Sequence, residues 1–132
     1  MKIKKLQPEC NLSTVRDGRG GIFTFYPEKP VVEWNFQFIN KNTTRGNHYH
    51  PEFDEYYLFV DGNGVVVSNS DGKEEFIYVG PGDCLYIPQG TSHVTYAITD
   101  IKYVTFLTKK WDDCKTPIVY EDLGMGQGDS KS

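Results

Sequence analysis

The chain has 132 residues, enough for one domain with a single real core, and its 14 basic and 18 acidic side chains give a net charge of -4. That balance, with no Lys/Arg-rich run, argues against a nucleic-acid surface, and Lys2, Lys4 and Lys5 form only a short solvated cluster. No apolar run approaches membrane-spanning length and the N-terminus has no signal-peptide core, so a cytoplasmic protein with no membrane contact is expected.

Composition points to β structure. Nine tyrosines, eight phenylalanines and two tryptophans accompany Val, Ile and Thr in short runs, and 13 glycines and 7 prolines punctuate them. Aromatic and β-branched side chains suit pleated, half-buried surfaces. No segment sustains a helical period. Cys10, Cys84 and Cys114 are odd in number and widely spaced, which fits neither a disulfide framework nor a paired-cysteine zinc site. Cys84, inside an apolar run, is expected to pack as a small hydrophobe.

In chain order, residues 1–6 read as a short strand followed by a loop around Pro8. Asp17-Gly18-Arg19-Gly20-Gly21 is a turn with several positions suited to positive φ. A strand over 21–26 ends at Pro27 and Pro30. Over 33–39, Trp34, Phe36 and Phe38 alternate with Asn35, Gln37 and Ile39, and the aromatic face is the one expected to fill the core. A loop at 40–44 leads into Arg45-Gly46-Asn47-His48-Tyr49-His50. Strand character resumes at Glu55, where Glu55, Tyr57 and Phe59 share a face by parity. Asp61-Gly62-Asn63-Gly64 reads as a hairpin turn and Ser70-Asp71-Gly72-Lys73 as the next turn. Strands follow at 75–79, 84–87, 93–98 and 101–108, with a brief one at 117–120. A single domain over 1–123 is expected, with 124–132, Gly/Ser-rich, as a disordered tail. Roughly ten short strands with frequent turns imply a sandwich or a barrel closed on itself.

The chemistry concentrates in three histidines, all the chain contains. His48 and His50 lie two apart, so an extended strand puts both imidazoles on one face. Glu55 follows after a short turn, and His93 lies just past a strand ended by Pro88 and Gly90. Imidazole nitrogens with one carboxylate suit a first-row transition metal and leave positions open for water or substrate. The other reading is a buried histidine pair, satisfied in the core or working as an acid/base couple without metal. Glu52 and Asp54 read as solvated turn residues, either able to replace Glu55.

Gly46, His48, His50, Glu55 and Gly62, then Gly82, Pro88, Gly90 and His93, resemble the two motifs of the cupin superfamily. One position departs: where the family often has Asn, four residues after the last histidine, this chain has Ala97. The resemblance implies an all-β, single-domain cupin barrel, a double-stranded β-helix or jelly roll. It implies one divalent transition metal ion (Zn, Fe, Mn, Ni or Co) on His48, His50, Glu55 and His93, and a homodimer. Asp17-Gly18-Arg19-Gly20 and Arg45 to His50 are similar to cupins acting on nucleotide sugars. Those are the dTDP-4-keto-6-deoxyhexose ketoisomerases and 3,5-epimerases, and the metal-binding cupin half of capsular polysaccharide synthesis reductases.

Function is therefore expected to be that of an isomerase or epimerase for a sugar or nucleotide sugar in polysaccharide biosynthesis. A metal-dependent dioxygenase and a non-catalytic ligand-binding cupin are the alternatives, because one ligand set serves many chemistries. Arg45 is the candidate substrate-binding residue, a bidentate phosphate ligand, with a surface pair to Asp54 as the bland alternative. Tyr57 is the candidate catalytic proton carrier by its parity with Glu55, its pKa open to lowering by a neighbouring cation.

Overall fold

The computed structural model describes residues 2–8 and 14–124, so Cys10 and the expected tail beyond Gly124 lie outside the described residues. Twelve strands follow in order: β1 (Lys4–Leu6), β2 (Thr14–Asp17), β3 (Gly20–Phe23), β4 (Glu33–Ile39), β5 (Thr44–Tyr49), β6 (Glu55–Asp61), β7 (Gly64–Ser70), β8 (Lys73–Val79), β9 (Cys84–Ile87), β10 (Ser92–Ala97), β11 (Ile101–Leu107) and β12 (Val119–Tyr120). A 3-10 turn covers Trp111–Asp113. No helix among the described residues is long and apolar enough to cross a membrane.

Two antiparallel five-stranded sheets face each other. The first runs β1-β9-β6-β11-β4 and the second β12-β5-β10-β7-β8, while β2 and β3 form a separate hairpin. From β4 to β7 and again from β8 to β11, each strand lies in the sheet opposite its predecessor. This interleaving is the expected jelly-roll barrel, and it corrects one detail. Asp61-Gly62-Asn63-Gly64 is not a hairpin turn: β6 pairs with β9 and β11, and β7 with β8 and β10. The same turn chemistry serves a crossing between sheets as well as a hairpin, and partner choice is a long-range matter.

The space between the sheets is filled by Ile39, Tyr57, Phe59, Val66, Leu85, Ile87, Ala97, Ile101 and Tyr103. Glu55, Tyr57 and Phe59 share the inner face, as their parity implies, and Cys84 is buried. Ala97 is fully buried in this cluster, so the departure from the family pattern is a packing position here.

The expectation for β4 is reversed. Trp34, Phe36 and Phe38 are 73%, 62% and 61% exposed. The register explains why: Gln37 lies opposite Tyr103 and Asn35 opposite Thr105, both of which are buried and inward-facing. The Tyr103 hydroxyl donates to Gln37 Oε1 at 3.0 Å, and Gln37 Nε2 donates to Thr105 Oγ1 at 3.1 Å. Alternation shows that a strand has two faces, but partner strands decide which face looks inward.

The crossing from β6 to β7 depends on Gly62, whose φ is +87°. A Cβ there would collide with the Asp100 carbonyl oxygen and crowd Ile101 Cα at 3.0 Å. Both obstacles are backbone and cannot swing away. Gly62→Ala is therefore expected to cost about 2–4 kcal/mol, from strain plus a displaced turn. Chemical denaturation would measure it, and a cost under about 0.5 kcal/mol would contradict this account of the turn.

Candidate functional site

The histidine strand carries a local irregularity that aims its side chains. His93 lies opposite His48 but Val94 lies opposite Gly46, so Asn47 is an extra residue in β5. Gly46 and Asn47 take φ values of +127° and +61°. This β-bulge resets the strand's parity. Arg45, opposite the buried Thr95, consequently faces the same interior as His48 and His50. Gly46 permits it, since a Cβ there would stand 2.7 Å from the His93 carbonyl oxygen.

After His50 the chain crosses to the first sheet through Pro51-Glu52-Phe53-Asp54. Phe53 is buried and stacks on the His50 ring at 4.6 Å between centroids. Neither acidic residue is a solvated turn residue, contrary to expectation. Asp54 is buried; it receives the Gln89 N–H at 2.8 Å and pairs with Lys29 at 2.9 Å. Burial pushes its carboxyl up, and the Lys29 and Gln89 bonds outweigh this and bring it below 3.8. Glu52 receives the Thr116 N–H at 2.6 Å and Lys109 at 2.9 Å. Both carboxylates are thus occupied in holding the turn, and Asp54 has Lys29 rather than Arg45 as its cation.

The turn delivers Glu55 to the histidines. His48, His50 and His93 each present a nitrogen, all within 4.8 Å of one another, and the rings are 6%, 6% and 0% exposed. Glu55 Oε1 lies 3.3 Å from His50 Nε2 and 3.7 Å from His93 Nε2. The four residues singled out in the sequence therefore do meet: His48 from β5, His50 just past its end, Glu55 from β6 and His93 from β10.

Backbone carbonyls orient two of the rings. His93 Nδ1 lies 2.9 Å from the Thr91 oxygen, and His50 Nδ1 lies 2.9 Å from the Pro117 oxygen. A carbonyl only accepts, so each Nδ1 carries a proton and each neutral ring offers its Nε2 lone pair towards Glu55. Burial, with the neighbouring His48, presses His93 down to about 3, so it is neutral at physiological pH. For His50 burial pulls the same way, but once charged the ring would donate its Nε2–H to the Glu55 carboxylate and feel its charge, which with Pro117 outweighs burial and raises its pKa above 6.5.

Tyr57 is fully enclosed, with its ring 6.0 Å from His93. Burial, then the Glu55 charge, pushes its phenol well above 10, opposite to the lowering a neighbouring cation would produce. The Arg45 charge opposes that rise at both Tyr57 and Tyr103, so the guanidinium acts on this same interior. Arg45 is itself exposed and shares a hollow of about 410 Å³ with Asn35, Phe36, Gln37 and Phe38. It stands at the rim while Tyr57 and the histidines lie within.

Residues 33–113 match the family model described as Cupin. The chain belongs to the cupin family. An uncharacterized protein, y4oW, from Sinorhizobium fredii (strain NBRC 101917 / NGR234) is 34% identical over 93 residues, which are 69% of this cupin and 41% of that protein. The chain thus spans less than half the length of that relative. A 3,4-ketoisomerase from Helicobacter canadensis has a TM-score of 0.77 at 16% identity, covering 92% of both chains. The dTDP-6-deoxy-D-glucose-3,5-epimerase RmlC from Legionella pneumophila Philadelphia 1, solved with dTDP-4-keto-L-rhamnose, has a TM-score of 0.67 at 17% identity over 82% of this chain and 67% of that one. The capsular polysaccharide assembling protein CapF from Staphylococcus aureus has 0.64 at 21% identity over 86% of this chain and 35% of that one. At these identities the structures share the cupin fold.

Sequence reading missed the two orienting carbonyls, which leave no side-chain signal, and the inward Asn35 and Gln37, set aside with the polar face of β4. The bulge had a signal in Gly46-Asn47, both tolerant of positive φ.

Nitrogen-15 NMR of the histidine rings tests this geometry. His50 and His93 should both appear as Nδ1–H tautomers, His50 titrating above pH 6.5 and His93 staying neutral down to about 3. In a chain cut after Thr116, His50 alone should lose its tautomer preference. An unchanged His50 would show that Pro117 does not orient it.

Proposed function

We propose that this cupin holds a divalent transition metal ion on His48, His50, Glu55 and His93 and isomerises or epimerises a nucleotide-activated sugar. We propose residues 1–123 as its single domain and a homodimer as its working unit. The observation that carries the reading is the convergence of three buried imidazoles and one carboxylate below a rim that holds Arg45.

The residues present fit a metal. Glu55 Oε1 and His93 Nε2 are buried without a hydrogen-bond partner, so each directs an unsatisfied acceptor into the cluster. The Glu55 oxygen lies 3.3 and 3.7 Å from two ring nitrogens, a separation compatible with shared bonds of about 2.0–2.2 Å to one ion. Among zinc, iron, manganese, nickel and cobalt the donor set does not choose. When bound, such an ion supplies Lewis-acid polarisation of a substrate carbonyl, which acidifies the adjacent C–H.

The chain's own residues supply the remainder. Arg45 at the rim takes the phosphates through its guanidinium fork. Tyr57 stays protonated at neutral pH. It gives its proton to the substrate carbonyl oxygen and, as the phenolate so formed, takes the proton from the adjacent carbon, so it ends the step as the phenol it began as. Gln37, held between Tyr103 and Thr105, lines the approach with amide groups suited to sugar hydroxyls. The structural neighbours support this substrate class by analogy of fold.

Protons and metal compete for the same nitrogens, and the raised His50 binds its proton first as pH falls. Metal affinity, read by titration with cobalt, should therefore begin to fall above pH 6.5 on acidification. Failure to take up any divalent ion at pH 8 would end the metal reading.

Turnover is tested by solvent deuterium incorporation into dTDP- and UDP-4-keto sugars. Tyr57→Phe should lower the exchange rate roughly 100-fold with metal content intact. Arg45→Ala should raise KM while leaving kcat near its original value, because its contact is with a part that does not react. No exchange with any nucleotide sugar, together with a silent Tyr57→Phe, would transfer the site to oxygen chemistry or to binding alone. Oxygen uptake distinguishes those two.

A further inference from the structure

The hollow at the rim, about 410 Å³, is lined by one cation, Arg45, and by two amides, Asn35 and Gln37. The two amides are held differently. Asn35 is exposed and gives an Nδ2–H to Glu33 Oε2 at 3.0 Å, a neighbour on its own strand. Gln37 is half-buried and gripped by β11. Its Oε1 accepts from the Tyr103 hydroxyl at 3.0 Å, and its Nε2 donates to Thr105 Oγ1 at 3.1 Å. Both partners are fixed, since Tyr103 and Thr105 are 1% and 0% exposed. Burial, then the Glu55 charge, keeps the Tyr103 phenol protonated, so it remains a donor.

A glutamine amide carries two N–H donors and two acceptor lone pairs. The strand beneath takes one of each, and one of each is left at the hollow. A free glutamine on a strand edge would lose rotamer freedom when it bound a ligand; this one has already lost it to Tyr103 and Thr105. The result is a fixed donor beside a fixed acceptor, the pattern that matches two adjacent hydroxyls.

Position decides which hydroxyls those are. Arg45 stands at the rim and Tyr57 lies within. Gln37 stands between them: its side chain shares the hollow with Arg45, and its partner Tyr103 packs on Tyr57 at 5.1 Å between ring centroids. With phosphates at Arg45 and the reacting carbonyl inside, the hexose ring passes Gln37. The two carbons between a 4-keto group and the phosphate-bearing carbon carry the 2- and 3-hydroxyls. The other way round the ring runs through an ether oxygen, which cannot donate.

We infer that Gln37 is a specificity-determining residue that reads the vicinal 2,3-diol of the bound hexose, its spare Nε2–H donating to one oxygen and its Oε1 accepting from the other. The inference rests on the nucleotide-sugar reading of the site and adds which sugars that site takes: those with both hydroxyls, against their 2-deoxy counterparts. Tyr103 and Thr105 act through the amide as positioning residues.

Isothermal titration calorimetry on the full chain tests this without turnover, using UDP-glucose, UDP-2-deoxyglucose and dUDP-glucose. Loss of the hexose 2-hydroxyl should weaken binding roughly 5–10-fold, the worth of one well-made hydrogen bond. Loss of the ribose hydroxyl should change it little. Gln37→Met keeps the length of the side chain and removes both hydrogen-bonding groups, so UDP-glucose and UDP-2-deoxyglucose should then bind equally. Tyr103→Phe frees the amide and should narrow the preference by weakening UDP-glucose alone, a selective effect that a general loss of packing would not give. A preference that persists in Gln37→Met overturns the inference. So does equal binding of UDP-glucose and UDP-2-deoxyglucose by the unmodified protein, which needs no variant to fold and leaves the nucleotide-sugar reading standing. A preference for the ribose hydroxyl in place of the hexose one overturns it as well. Binding of none of the three would end the nucleotide-sugar reading and this inference together.

Discussion

The site depends on one short crossing. His50 follows directly on β5 in the second sheet, Glu55 opens β6 in the first, and four residues join them. Neither end can move alone, because β5 is paired to β10 and β12 while β6 is paired to β9 and β11. The crossing is built from groups that cost free energy unless satisfied. The buried Asp54 carboxylate takes Lys29 and a backbone N–H, and Phe53 fills the space under His50. A buried carboxylate left without its partners would be strongly destabilising, so this turn has one low-energy arrangement. Rigidity here sets the distance between carboxylate and imidazoles.

A second constraint comes from the C-terminal segment. It closes the free edge of β5 through Val119 and Tyr120, and it is tied at both ends. Thr116 donates to Glu52 at 2.6 Å, and Glu121 and Leu123 donate to Asn47, to its carbonyl at 2.8 Å and its side chain at 2.9 Å. Between the ties Pro117 meets His50. The residue that creates the bulge is thus the residue that anchors the strap, which couples the aim of Arg45 to the orientation of His50. Outer partners of this kind govern how well a cluster of imidazoles binds anything, be it a proton or a metal.

The interior is correspondingly mixed. Towards the Gly62 crossing it is apolar, with Phe59, Ile39, Val66, Leu85 and Ile101 packed together. Towards the histidines it turns polar, with Thr95, Thr105, Tyr103 and Gln37 joining the site. Cupins with one ligand set differ in chemistry through such surroundings, and here the surroundings supply a cation at the rim and a phenol held protonated within.

Much of this was legible in the chain itself. Spacing alone placed His48 and His50 on one face, parity placed Tyr57 beside Glu55, and the two motifs identified the barrel and its four convergent residues. These are local facts, set by the period of a strand and by the residues a turn tolerates. What only the tertiary structure decided involves partners distant in sequence. The amphipathic period of β4 was correct, but β11 offers its polar Tyr103 and Thr105 to Asn35 and Gln37 and so turned the aromatics outward. The turn at Gly62 was correct in kind, but its two strands found partners in opposite sheets. Arg45 joined the histidines through one extra residue at Asn47, which exists only as a mismatch between β5 and β10. Glu52 and Asp54 became structural because Lys109, Thr116, Lys29 and Gln89 reach them from elsewhere. A strand's period fixes which side chains go together; pairing across the barrel fixes where they go, because burial is a property of the neighbours and not of the residue.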